Sequence, residues 1–315
     1  MAQPDGRYAP SPTGALHLGN LRTALLAWLA ARAGGGRFRL RIDDLDAGRS
    51  RPEHEAGQLA DLRALGLDWD GEPLRQSARA SAYATAVGAL EARQLVYPCW
   101  CTRAEIREAA SAPHGDLPEG AYPGTCAALD AAGRAARERA AGGRPPAWRV
   151  RAAAAEVVVE DLVLGPIRGV VDDFVVRRGD GTHAYNLAVV VDDDDQEIGQ
   201  VVRGADLASS APRQAWLAGV LGLRVPSYAH VPLVLGADGR RLAKRDGAVT
   251  LADRRALGES AEQVRGALAA SVGLAPPGAA PSLDELLAGF DLARLRDRGP
   301  TVWNPGSGPL AAGRR

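Results

Sequence analysis

The first hundred residues alternate between two hydrophobic periods. From Leu21 the apolar positions Leu21, Leu25, Trp28 and Leu29 recur at helical spacing, and Gly34 to Gly36 end the run. Phe38, Leu40 and Ile42 then alternate with arginines, the two-residue period of a strand. Ser50-Arg51-Pro52-Glu53 reads as a capping box opening a second helix, which carries Leu59, Leu62 and Leu65 before Gly66. A third helix is predicted from about Ala78 to Leu95. Ahead of them all, RYAPSPTGALHLG is rich in Pro and Gly and reads as a loop. Strands alternating with helices predict a parallel α/β sheet.

The pattern changes at Tyr97. From there to about Tyr185 the chain holds its cysteines, an Ala/Arg/Gly-rich stretch (Ala127 to Pro146) and short strand-like segments, Trp148 to Arg151 and Phe174 to Arg178. This region reads as an insertion into the first domain. Val201 to Arg203 is strand-like, and a helix opens near Ser210-Ala211-Pro212 and closes at Gly222. The tail after Ser271 is Pro/Gly-rich in patches, and Gly306 to Arg315 is expected to fray. The predicted organisation is a core in two parts, 1–96 and 185–235, interrupted by an insertion at 97–184 and followed by a region at 236–315. Asp192 to Asp195 reads as a solvated acidic turn after a buried run rather than a cation cage. Gly34 to Gly36 is no phosphate-binding P-loop, since no Gly-Lys-Ser/Thr follows and the next element is a strand.

Composition narrows the classes. With 315 residues and 46% apolar content the chain can bury a sizeable core. The start, MAQPDGRYAPSP, has no apolar signal region, and no run approaches a membrane span, so a cytoplasmic, membrane-free protein is expected. Its 38 basic residues balance 38 acidic ones, which argues against a nonspecific nucleic-acid binder but leaves room for a local basic surface. Lys244 is the only lysine among those 38. Where arginine has replaced lysine everywhere else, the survivor marks a position that wants a compact point charge on a flexible stem rather than a planar fork. Three cysteines, Cys99, Cys101 and Cys126, are too few and too odd for a disulfide framework and read as thiols or metal ligands.

The strongest chemical signal is HLGN, His17 to Asn20, where a glycine-containing loop meets a helix. Backbone N–H groups and the positive helix end make such a junction a phosphate site. RYAPSPTGALHLGN followed by RTALLAWLAARAGGGRFRLRIDDLD resembles the start of the glutamyl/glutaminyl branch of class I aminoacyl-tRNA synthetases. HLGN corresponds to that family's "HIGH" signature, with Asn20 in place of the second histidine. RLAKR, Arg241 to Arg245, sits where its "KMSKS" loop belongs, and Lys244 falls on the catalytic position.

The resemblance implies a Rossmann-like parallel sheet with an inserted acceptor-type domain and ATP-dependent activation of glutamate. His17, Gly19, Asn20 and Lys244 would then hold ATP with its Mg²⁺, and His17 and Lys244 would be catalytic. Arg7, Ser11, Asp43, Tyr185 and Arg203 match the family's glutamate-binding positions. Arginine suits that task because its fork pairs with a carboxylate at two points. Asp43 departs from the family's usual glutamate by one methylene, so its amino-group contact is expected to be looser, water-bridged or taken over by Asp44.

Zinc wants four ligands, and three thiolates leave one position open. Residue chemistry alone nominates His114; the resemblance nominates Tyr122, matching a C-x-C…Y-x-x-x-C site that holds one structural Zn²⁺. The alternative is three buried free cysteines. Only 71 residues (315 − 244) follow Lys244, which predicts a short stem-contacting region and no anticodon-binding domain. Within the branch this shape resembles the members that activate glutamate without tRNA and transfer it to the queuosine base of tRNA(Asp); a monomer is expected. A shortened enzyme charging the 3′ end of tRNA(Glu), and a non-catalytic glutamate- or nucleotide-binding paralogue, are the other readings.

Overall fold

In a computed structural model, which describes residues 4–110, 121–240, 242, 246–247, 249–296 and 298–303, the predicted alternation of strands and helices folds as a largely parallel sheet. The first part runs β1 (Asp5–Tyr8), α1 (Leu18–Ala33), β2 (Phe38–Ile42), α2 (Pro52–Ala64), β3 (Leu74–Arg75) and α3 (Ala80–Ala92). Next come β4 (Val96–Cys99), α4 (Arg103–Ala110), α5 (Ala131–Ala140), β5 (Ala147–Val150), β6 (Ala155–Asp161), β7 (Gly165–Val171) and β8 (Val175–Arg177). α6 (Tyr185–Asp195), β9 (Ile198–Gly204), α7 (Ala211–Leu221), β10 (Ser227–Val231) and β11 (Val234–Leu235) complete the sheet region. α8 (Leu251–Ala256), α9 (Ala261–Ala270), α10 (Leu283–Ala288) and β12 (Thr301–Val302) follow.

Seven strands are ordered β3-β2-β1-β9-β10-β6-β7. Every neighbouring pair is parallel except the β6–β7 hairpin at the edge. β1 therefore stands between β2, the next strand in the chain, and β9, which arrives much later. Order reverses there, and in open α/β sheets a crevice opens at the carboxyl ends of strands at such a point.

α1 packs on this sheet and is buried nearly all round, with Leu21, Leu25, Leu26 and Leu29 wholly enclosed. The approach to β1 is close: a Cβ on Gly6 would lie 2.9 Å from that of Ala31. The same helix carries a buried arginine, Arg22, which donates to Ser271 Oγ, Thr301 Oγ1 and the Pro232 carbonyl. Burial pushes its guanidinium down to about 10, still protonated near neutrality. Arg22 thus fastens the C-terminal elements to the core.

Several local expectations change. The Ser50 capping box does not form: Arg51 is the N-cap of α2 with no side-chain cap bond, and Pro52, preset for the first helical position, starts the helix. α7 does end at Gly222, whose φ of 72° is the left-handed cap that glycine adopts without strain. Within the expected insertion, β4, β5 and β8 make a separate antiparallel sheet, whereas the β6–β7 hairpin joins the large one beside β10. The low-complexity stretch contains α5, capped by Asp130 and without a buried residue. The tail expected to fray, 306–315, lies outside the described residues.

Candidate active site

A cleft of about 430 Å³ opens at the order reversal between β1 and β9. Arg7, Ser11, His17, Gly19, Asn20, Asp43, Tyr185 and Arg203 all line it, as do Arg41 and Gln58. Lys244, and with it Arg241, Ala243 and Arg245, lies outside the described residues.

The wall nearest α1 is built by its N-terminus. His17 is the N-cap: its Nδ1 accepts from the Asn20 N–H at 3.2 Å, and Asn20 Oδ1 accepts from the His17 N–H at 3.3 Å. HLGN is thus a reciprocal capping box made by histidine and asparagine instead of the usual serine and glutamate. An accepting Nδ1 leaves the proton of the neutral ring on Nε2. Gly19 makes room, because a Cβ there would sit 3.0 Å from the imidazole. The loop before it is held from below by Gln58, whose amide donates to the Ser11 and Gly14 carbonyls. Gln58 is 1% exposed and no local pattern singled it out.

His17 is also tied forward in sequence. It forms a bridge with Thr250, and the Leu18 N–H donates to the Val249 carbonyl at 2.8 Å. Leu242, two residues before Lys244, donates its N–H to the carbonyl of Val234, a cleft-lining residue. Described residues on either side of Lys244, Leu242 and Val249, are therefore held at this site.

The floor is ionic. Arg7 Nε pairs with Asp193 Oδ1 at 3.3 Å, and Arg41 pairs with the same oxygen at 2.5 Å and with Asp43 Oδ1 at 2.7 Å. Behind them Asp192 accepts from Gln76 Nε2 and the Tyr83 hydroxyl and pairs with Arg79. The acidic run at 192–195 is thus a correction to the sequence reading: it is the last turn of helix α6, and its first two members are buried counter-ions. Burial opposes ionisation of Asp193, but Arg7 and Arg41 outweigh it and hold the carboxyl below its ordinary value. For Asp43 burial wins over Arg41, and its carboxyl is pushed up. Asp44 is engaged elsewhere, accepting from the Ser77 N–H and hydroxyl.

Arg203, at the end of β9, is different. It is 4% exposed, yet its hydrogen bonds go to neutral groups: His230 Nε2 at 2.9 Å, Gln214 Oε1 at 2.7 Å and the Leu207 carbonyl at 3.2 Å. Among the described residues it makes no ion pair. Burial lowers its affinity for the proton from the usual value. A buried guanidinium without a carboxylate, set in a cleft beside Arg7, is a receptor for an anionic group. Tyr185, the first residue of α6, stands at the mouth with 39% of its surface exposed.

Away from this cleft, Cys99, Cys101 and Cys126 bring their sulfurs within 4.8 Å of one another. The Cys101 and Cys126 sulfurs are 3.6 Å apart, and the Tyr122 hydroxyl is 3.3 Å from Cys99 Sγ and 3.7 Å from Cys101 Sγ. A tetrahedral ion with sulfur bonds of about 2.3 Å needs its thiolates roughly 3.8 Å apart, so the donors have the spacing of a metal centre. Tyr122 is buried, its hydroxyl accepting from the Cys126 N–H at 2.8 Å and its ring lying under Arg149. His114, the rival ligand, lies outside the described residues.

Comparison with known proteins adds four matches. The family model described as "tRNA synthetases class I (E and Q), catalytic domain" matches residues 5–274. The chain is 61% identical over 290 residues to a protein of Nocardia farcinica named glutamyl-Q tRNA(Asp) synthetase, covering 92% of this chain and 90% of that one. A protein of the same name from Symbiobacterium thermophilum is 51% identical over 302 residues, covering 92% and 93%. Among solved structures, a glutamate tRNA ligase from Elizabethkingia meningosepticum in complex with its amino acid superposes with a TM-score of 0.80 at 27% identity. That match covers 95% of this chain and 66% of the ligase, so the chain spans about two thirds of that enzyme's length.

Proposed function

The chain belongs to the class I tRNA synthetases of the glutamate and glutamine group, and from that premise we propose that it activates L-glutamate with ATP and transfers it to the queuosine base of tRNA(Asp). The observation that carries the reading is Arg203, a buried cation with no ion pair among the described residues, beside Arg7 in the cleft at the sheet's order reversal. Glutamate brings two carboxylates and one ammonium. Arg7 and Arg203 supply cations for the carboxylates, Asp43 an anion for the ammonium, and Ser11 and Tyr185 the remaining polar contacts.

The first step forms a bond between a glutamate α-carboxylate oxygen and the α-phosphorus of ATP, while the bond to the bridging oxygen breaks and pyrophosphate leaves. Catalysis of this step is positioning plus stabilisation of spreading negative charge. The N-terminus of α1, with Gly19 and Asn20, cradles phosphate oxygens, and the Nε2 proton of His17 is donated to them. Lys244 supplies a compact positive charge from the other side. Mg²⁺ bound with ATP would neutralise the charge of its phosphates. In the second step a hydroxyl of the queuosine cyclopentene-diol attacks the adenylate carbonyl, its proton is lost, and AMP leaves.

The same reading assigns one structural Zn²⁺ to Cys99, Cys101, Cys126 and Tyr122, since the three thiols and the phenol complete a four-donor set. It also includes a cytoplasmic monomer. No described helix is long and apolar enough to cross a membrane.

Purified protein should catalyse glutamate-dependent ATP–pyrophosphate exchange without tRNA. It should then glutamylate an anticodon stem-loop of tRNA(Asp) that carries queuosine and leave the guanosine version untouched. Glutamate found instead on the 3′ end of tRNA(Glu) makes this an enzyme of the conventional charging reaction; no exchange at all makes it a binding paralogue.

A further inference from the structure

Arg203 owes its position to two buried residues that come from other strands. His230 is its register partner on the adjacent parallel strand β10, and the Arg203 Nε–H donates to His230 Nε2 at 2.9 Å. An accepting Nε2 requires the ring proton on Nδ1, which lies 2.6 Å from Asp161 Oδ2. Neither His230 nor the Asp161 side chain has any exposed surface. The tautomer is thereby set by a carboxylate two bonds of the network away from the cleft.

Asp161 is itself fixed. Its Oδ1 accepts from the N–H groups of Val163 and Leu164, closing the turn of the β6–β7 hairpin, and the His230 N–H is shared between its two oxygens. Tyr228, two residues along β10, stacks on the imidazole with rings 7° from parallel, and the Arg203 guanidinium lies over the same phenol ring. Gln214 takes one terminal nitrogen of Arg203 and is oriented in turn by donating to Asn186 Oδ1. The contacts to His230, Gln214 and Leu207 use one N–H on each nitrogen. The donors that remain are one on each terminal nitrogen, the end of the fork that receives a carboxylate.

We propose that Asp161 and His230 are positioning residues for substrate recognition: Asp161 holds His230 in the Nδ1–H form, and His230 holds Arg203 so that its terminal N–H pair faces the glutamate carboxylate. The proposal rests on the glutamate reading of the cleft. It also gives the hairpin, which lies within the expected insertion, a direct part in the amino-acid pocket.

Two substitutions separate this role from simple packing. In Asp161→Asn the Val163 and Leu164 N–H groups, which bond Oδ1 alone, keep the amide oxygen there, so the amide nitrogen replaces Oδ2 and donates to Nδ1. His230 must then carry its proton on Nε2, donor against donor with the Arg203 Nε–H; the same inversion underlies the loss caused by amidating the triad aspartate of serine proteases. In His230→Gln the amide oxygen reaches roughly where Nε2 was and still accepts from Arg203, whereas His230→Asn keeps only the bond toward Asp161.

In ATP–pyrophosphate exchange by the full chain, Asp161→Asn and His230→Asn should raise the KM for glutamate about tenfold or more, with the KM for ATP nearly unchanged and His230→Gln recovering most of the loss. Nitrogen-15 NMR of the unaltered protein should show His230 neutral and protonated on Nδ1. Exchange by the unaltered protein combined with an unchanged glutamate KM in both damaging variants overturns the proposal alone. So does a parallel rise of both KM values. No exchange in the unaltered protein overturns the glutamate reading first. Should the variants fail to fold, a His230 protonated on Nε2 in the unaltered protein overturns the proposal by itself.

Discussion

The cleft and the cysteine cluster are both buried gatherings of polar groups, assembled over very different lengths of chain. Arg7 meets Asp193 across 186 residues and Arg41 meets the same acid across 152. Cys99 meets Tyr122 across 23, and Cys101 meets Cys126 across 25. The first set exists only when the whole sheet is formed, and its Arg7 and Arg41 are balanced by Asp193 and Asp43. The second is a local clasp on a small three-stranded sheet, and its thiols and phenol have the spacing to be balanced by an ion. Damage to the cleft should therefore register as global stability and ligand affinity, and damage to the cluster as loss of metal and local unfolding.

The sharpest way to break this contrast is Asp193→Asn. It leaves Arg7 and Arg41 without their shared counter-ion and should cost about 3–5 kcal/mol of stability at neutral pH, read by chemical denaturation. The sign with pH follows from the depressed carboxyl. The stabilisation by Asp193 is complete above its ordinary value of 3.8 and is lost as the pH falls through the lower folded value. The gap between variant and parent should close on strong acidification; a gap that persists there would assign the effect to packing.

Lys244→Ala should leave stability alone and remove about 2.7–4 kcal/mol of transition-state stabilisation, measured as kcat in pyrophosphate exchange. Lys244→Arg should recover little, because a planar fork is a poor substitute for a point charge among crowded phosphates. Full activity in the arginine variant would empty the argument from the lone lysine.

For the cluster, the expected result is about one zinc per chain by elemental analysis, lost on Cys126→Ala, with exchange chemistry at the distant cleft reduced less than in Lys244→Ala. Retention of zinc by Tyr122→Phe and its loss in His114→Ala would move the fourth ligand. The smallest effect is expected from Asp43→Glu, a change in glutamate affinity within about 1 kcal/mol either way, since it restores the family's usual reach. Outright inactivation would show that Arg41, bonded to the shorter acid at 2.7 Å, has fixed a pocket with no room for a methylene.

What was readable in the sequence follows the same division. HLGN, the cysteine spacing, the strand at Phe38 to Ile42 and the helix ending at Gly222 are local signals, and the structure places each where its pattern put it. The acids of α6 do not read locally as buried counter-ions because their partners are more than a hundred residues away, and four aspartates after a buried run look like a solvated turn. Arg41 hid in the alternation FRLRI, where an arginine between apolar residues reads as the solvent face; here it is wholly buried. Asp161 and His230 carried no local signal at all. Only strand register brings them to Arg203.

The two ties on either side of the lysine segment set a limit on distance. Leu242 is 3% exposed and hydrogen-bonded to the cleft wall, and two peptide units separate it from Lys244. The two α-carbons can never be more than about 7 Å apart, whatever the backbone between them does. On the proposed reading, the ammonium is a reagent on a short tether. Its effective concentration near the anchored residue is then limited by chain length, so supplying the second charge to a bound phosphate would require no long-range search.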